Sequence, residues 1–126
     1  MPPEPLGILL ITGTHERAHY AFVLAAGAAA IGRPVTLFAT NAGCRALLRD
    51  WSGLDGAARD ADVQARGVAG LDELRAAALE LGVKLLACEA GLLMAGLEPA
   101  ALHPAVEVAG VPSFLAACRS GQALTL

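Results

Sequence analysis

The stretch Gly82-Val83-Lys84-Leu85-Leu86-Ala87-Cys88-Glu89-Ala90-Gly91-Leu92-Leu93-Met94-Ala95-Gly96 decides how this chain is read. Val83 to Ala87 is a short apolar run of the length of a buried parallel strand. Glu89 to Ala95 then has helical spacing and a glycine stop at Gly96. Cys88 stands at the join, which places its thiol at the carboxyl edge of a sheet and the amino end of a helix. Ligands of open α/β sheets bind at that edge. Partial positive charge at a helix start also favours a thiolate there. A reactive cysteine is therefore the leading functional expectation, against the plainer reading of a small buried hydrophobe at a strand end.

Working outward, the same alternation recurs. Leu6 to Ile11 reads as a first strand, with a turn at Thr12-Gly13-Thr14 and Thr14 as an N-cap. A helix follows to about Ile31, where Gly32 ends it and Pro34 prevents its continuation. Val35 to Ala39 is a second strand, leading to a turn at Asn41-Ala42-Gly43 and a short helix at Cys44 to Asp50. Leu71, Leu74, Ala78 and Leu81 mark an amphipathic helix stopped by Gly82. Beyond the Cys88 unit, Val106 to Val108 and Ala123 to Leu126 read as strands flanking a helix that Pro112 opens. This order predicts one α/β domain over residues 1–126: three layers, with a mostly parallel five-stranded sheet and helices on both faces, as in flavodoxin-like proteins. Residues 1–5 read as a loose N-terminal tail. Residues 52–70, mixing glycine, aspartate and arginine with weak periodicity, read as a mobile surface segment.

At 126 residues the chain is 56% hydrophobic and only 17% charged, more apolar than one small globule needs. Its longest uncharged stretch, Tyr20 to Gly32, is too short to span a bilayer. A soluble subunit that buries further apolar surface against copies of itself, a homo-oligomer, is expected. The net charge of −3 and the single lysine argue against a nucleic-acid partner. Three cysteines, odd in number and not closely paired, suggest no disulfide framework, and with no secretory signal apparent the expected location is cytoplasmic.

Three segments together resemble the DsrE/DsrF-like family of small sulfur-relay proteins. They are Phe22 to Thr40, Gly82 to Leu97, and Gly110-Val111-Pro112-Ser113-Phe114-Leu115. The likeness runs from about Leu6 onward except across residues 52–70. It is similar to the branch whose members have a cysteine after the third strand, followed by a methionine and glycine. The resemblance implies a three-layer α/β fold, homo-oligomers and a cysteine that carries sulfur as a persulfide, with sulfur-donor and sulfur-acceptor proteins as partners. Only Cys88 is carried over as catalytic. The chain departs from the pattern at Asn41-Ala42 and at Glu89-Ala90-Gly91, positions that bear on substrate and partner choice.

The remaining candidates are weighed against plainer roles. Glu89 disfavours a second negative charge beside Cys88, and is read as repelling other anions or orienting a partner. Cys44 follows the second strand towards the same edge, either resolving an oxidised Cys88 or simply packed. His15 follows the first strand, either binding an anionic sulfur species or deprotonating Cys88, against a capping or solvent-facing role. His19, one turn on from His15, lacks a third ligand for a metal. His103 reads as exposed loop, Cys118 as core, and Trp51 as an anchor in the core or an interface. Thr12-Gly13-Thr14 lacks the glycines and lysine of a phosphate loop, so no cofactor and no metal are expected. Two alternatives to a sulfur carrier stay open: a non-enzymatic oligomeric binding or regulatory subunit with an inert cysteine, and a flavin- or nucleotide-binding protein on the same fold.

Overall fold

In the computed structural model, which describes residues 3–126, strands β1 (Leu6–Leu10), β2 (Val35–Ala39), β3 (Lys84–Cys88), β4 (Glu107–Ala109) and β5 (Gln122–Thr125) form one sheet in the order β4-β3-β2-β1-β5. Every neighbouring pair is parallel. Met1 and Pro2 of the expected tail lie outside the described residues. The helices are α1 (His15–Ala30), α2 (Arg59–Ala65), α3 (Leu71–Glu80), α4 (Glu89–Ala95) and α5 (Val111–Ala117).

The strand order explains how the helices are shared between the faces. From β1 to β4 the chain steps across the sheet in one direction, and then returns past β1 to β5. Right-handed crossovers put the connections of one direction on one face and that of the return on the other. Accordingly Ile8, Leu10, Leu37, Ala39, Leu85 and Ala87 pack with Ala18, Phe22 and Ala25 of α1, Leu71 and Ala78 of α3 and Leu92 of α4. The opposite face is covered by α5, whose Phe114, with Cys118 just past the helix end, meets Leu9, Phe38, Leu86, Cys88 and Ala109. Because side chains alternate along a strand, register aligns this second set: Leu9 pairs with Phe38 and Phe38 with Leu86, while Cys88 pairs with Ala109 in the next row. Phe114 stacks on Phe38 at a centroid distance of 5.3 Å and fixes α5 to the sheet. Gly7 leaves the space for this, since a Cβ there would come within 2.8 Å of Cys118 Sγ.

The helix boundaries follow local chemistry. Thr14 Oγ1 accepts the Arg17 amide at the start of α1, and Glu16 lies in the first turn, where a carboxylate complements the helix dipole. Gly96, at φ 68°, ends α4 in the left-handed conformation that glycine adopts without a Cβ penalty.

One local expectation is corrected. The turn at Asn41 and the helix expected at Cys44 to Asp50 are instead one 3₁₀ segment, Asn41–Leu47, closing at Leu48. Its backbone lies so close to β1 that Gly43 donates to Ile11 O at 2.9 Å, an approach that leaves no room for a side chain at Gly43. Residues 52–70 contain α2 and several ties to the body. The His15 amide donates to Asp55 O at 2.8 Å, the Asp55 amide donates to Gly13 O at 2.9 Å, and Leu54 is buried. Among the described residues no helix is long and apolar enough to cross a membrane.

Candidate functional site

Cys88 is both the last residue of β3 and the N-cap of α4. Its extended backbone, at φ −68° and ψ 123°, turns the chain out of the sheet, and its Sγ accepts the Gly91 amide at 3.4 Å. A sulfur that occupies an N-cap takes the place of the usual hydroxyl or carboxylate oxygen, using one of the helix's free amide donors. The side chain is only partly buried, whereas Cys44 and Cys118 are buried.

Cys88 lines a groove of about 320 Å³ together with Glu89, Ala90, Leu93, Gly110 and Val111. One wall is the β3–α4 junction and the other is the β4–α5 junction. α4 packs towards the α1/α3 face and α5 on the other, so the two chains diverge beyond the carboxyl ends of adjacent strands. That is a topological switch point, the place where open α/β sheets leave a crevice. Leu93 and Val111, which line the groove, are exposed, as are Met94 on α4 and Leu115 on α5, so Cys88 has apolar neighbours.

Gly91 holds the junction at its depth. It is buried against Thr40 and Asn41, and a Cβ on it would lie 2.6 Å from the Asn41 nitrogen. α4 is thereby seated on the 3₁₀ segment that carries Cys44. Cys44 is fully buried, with its thiol donating to Ala39 O at 3.5 Å. Burial pushes that thiol up to about 11, and negative charge on Cys88 adds to the rise. Cys44 is thus close enough to Cys88 for its charge to be felt, but is itself fully buried.

His15 goes elsewhere. It is 1% exposed and donates from Nε2 to Asp60 Oδ1 at 2.7 Å, stacks on His19 at 5.5 Å and lies 6.0 Å from Trp51. It does not line the Cys88 groove, because burial beneath α2 and its bond to Asp60 hold it in a structural pair. Burial would raise the Asp60 carboxyl, but bonds from His15, the Leu71 amide and Gln64 outweigh it and keep it below its ordinary value. His19 donates to Ala69 O at 2.8 Å. His103 accepts the Ala105 amide, and burial with nearby Arg75 and Arg49 holds its imidazole below the usual range. Trp51 donates to Asp72 Oδ1 at 2.7 Å and packs partly against the core. Cys118 is buried under α5, as expected.

Of the residues singled out from sequence, the fold brings Cys88 and Glu89 together in one groove and leaves His15 and His103 out of it. Gly110 and Val111 complete the groove and were not foreseen as site residues. They lie far along the chain from Cys88, and only the β3–β4 pairing of Cys88 with Ala109 places them opposite it.

Comparisons with known proteins agree with this fold. Solved structures of low identity share the fold. The ychN protein from E. coli matches with a TM-score of 0.73 at 15% identity, covering 98% of this chain and 99% of its own. MTH1491, a protein of unknown function from Methanobacterium thermoautotrophicum, matches with a TM-score of 0.67 at 16% identity over 98% and 99%. No curated protein matches the sequence. The DsrE/DsrF/DrsH-like family model matches residues 48–124, including residues 52–70 that the three resembling segments omit. That match spans more than half of the chain, which therefore belongs to the DsrE/DsrF/DrsH-like family.

Proposed function

We propose that this protein is a cysteine-based sulfur carrier, in which Cys88 accepts sulfane sulfur as a persulfide and passes it to a partner thiol. The observation that carries the reading is the contrast among the cysteines. Cys88 alone is partly exposed, at the mouth of a groove and with an amide donor on its sulfur, while Cys44 and Cys118 are buried. A carrier needs a thiolate that can reach a donor, and then a terminal sulfur that another thiolate can reach. One accessible cysteine supplies both. Family membership favours sulfur relay over the other chemistries open to an exposed thiol. Most of the groove's lining is apolar and Leu93 and Val111 in it are exposed, which suits docking of a second polypeptide, either another copy of this chain or a donor or acceptor protein. A homo-oligomer in a reducing, cytoplasmic setting belongs to the same proposal.

The test is intact-mass measurement after incubation with polysulfide. One added sulfur, removed by reductant and absent from Cys88→Ser, is the expected result. Equal loading of Cys88→Ser and the parent protein sinks the assignment. Slow alkylation of Cys88 at neutral pH with no loading favours an inert cysteine in a binding subunit.

A further inference from the structure

We infer that Glu89 makes the Cys88 groove selective by charge, so that the preferred sulfur donor is an organic persulfide, reacting in its protonated, uncharged form R–S–S–H, rather than an inorganic polysulfide anion. This rests on the sulfur-carrier reading. Four of the six lining residues, Ala90, Leu93, Gly110 and Val111, carry no charge or polar side chain, and Glu89 is the sole charged one. Among the described residues no cation lines the groove to offset it. On the same sheet face Lys84 stands at the far, amino end of β3, and Glu107, exposed on β4, adds further negative charge two residues from Ala109. An approaching anion therefore meets a carboxylate and apolar walls that give its charge nothing in return for lost water. An uncharged donor loses little on entering and gains apolar contact with Leu93 and Val111.

The transfer balances without an outside oxidant. The Cys88 thiolate attacks the outer sulfur of R–S–S–H, the Sγ–S bond forms and the donor S–S bond breaks. R–S⁻ leaves with the electron pair, while the proton stays on the transferred sulfur. One negative charge stands on each side of the step. A polysulfide dianion would bring two further charges into the same space.

Alkylation with iodoacetamide and iodoacetate, reagents of similar size but different charge, measures the selection directly. Both meet the same thiolate, so their rate ratio cancels any effect of Glu89 on the sulfur itself. In Glu89→Gln the preference for iodoacetamide falls by about threefold at low salt. In Glu89→Lys it falls further, and all three proteins converge at about 1 M salt, where charges are screened within about 3 Å. An unchanged ratio in both variants overturns the inference. With sulfur donors, Glu89→Gln accelerates loading from polysulfide more than loading from benzyl persulfide, and equal acceleration also overturns it. If neither donor loads Cys88 but the alkylation ratios shift as stated, the charge selection stands and the sulfur-carrier reading falls.

Discussion

Gly91 donates its amide to the Cys88 sulfur at 3.4 Å and at the same time presses its own Cα face against Thr40 and Asn41. One glycine thus couples the position of the thiol to the packing of α4 on the 3₁₀ segment. Substituting Gly91→Ala forces a Cβ to within 2.6 Å of the Asn41 nitrogen, a backbone atom that cannot swing aside. Overpacking of this kind costs about 1–3 kcal/mol. Urea unfolding should show that loss, accompanied by a several-fold change in Cys88 alkylation rate. An unchanged midpoint and rate would show that the junction tolerates displacement.

The three thiols differ in access. Cys44 is sealed, with burial raising it to about 11, and Cys118 lies beneath α5. A thiolate is the reactive form, so native protein at pH 7.5, roughly, should take up one alkyl group, on Cys88, and three in denaturant. Peptide mapping that finds Cys44 labelled in native protein as fast as Cys88 would contradict this picture. Cys44→Ser should leave sulfur loading in place.

Phe114 anchors α5, and α5 begins at the Gly110–Val111 wall of the groove. Phe114→Ala removes the stack on Phe38 and a fully packed ring, at a cost of about 3–5 kcal/mol. The milder Phe114→Leu should keep the fold while loosening that wall, and should narrow the difference in alkylation rate between Cys88 and free cysteine. Loss of stability below about 1 kcal/mol in Phe114→Ala would mean that α5 is held by something other than this ring.

The Asp60 carboxyl is held below its ordinary value in the folded protein by His15, the Leu71 amide and Gln64, against the upward pull of burial. Its stabilising contribution is therefore fully present above the ordinary carboxylate range. It is lost as pH falls through the lower folded-state value, where the native carboxylate finally binds a proton. Asp60→Asn should destabilise the protein at neutral pH by about 2 kcal/mol, the scale of lost bonds to a charged group. The variant should also flatten the acid limb of a stability–pH curve. Parallel curves for the two proteins would rule out Asp60 as a source of acid sensitivity.

Local sequence determined the strand–helix alternation, the five strands to within a residue or two, and Cys88 at the exit of β3. Such features depend on short-range periodicity, N-caps and glycine stops, all of which lie within a few residues of what they control. The tertiary structure alone decided the strand order, and with it the groove, because Gly110 and Val111 meet Cys88 only through the pairing of β3 with β4. It also decided that His15 pairs with Asp60, a contact across 45 residues between an N-terminal helix and a segment with weak periodicity. Polar pairs of this sort leave no repeating pattern along the chain. Their partners are chosen by which elements the sheet brings face to face.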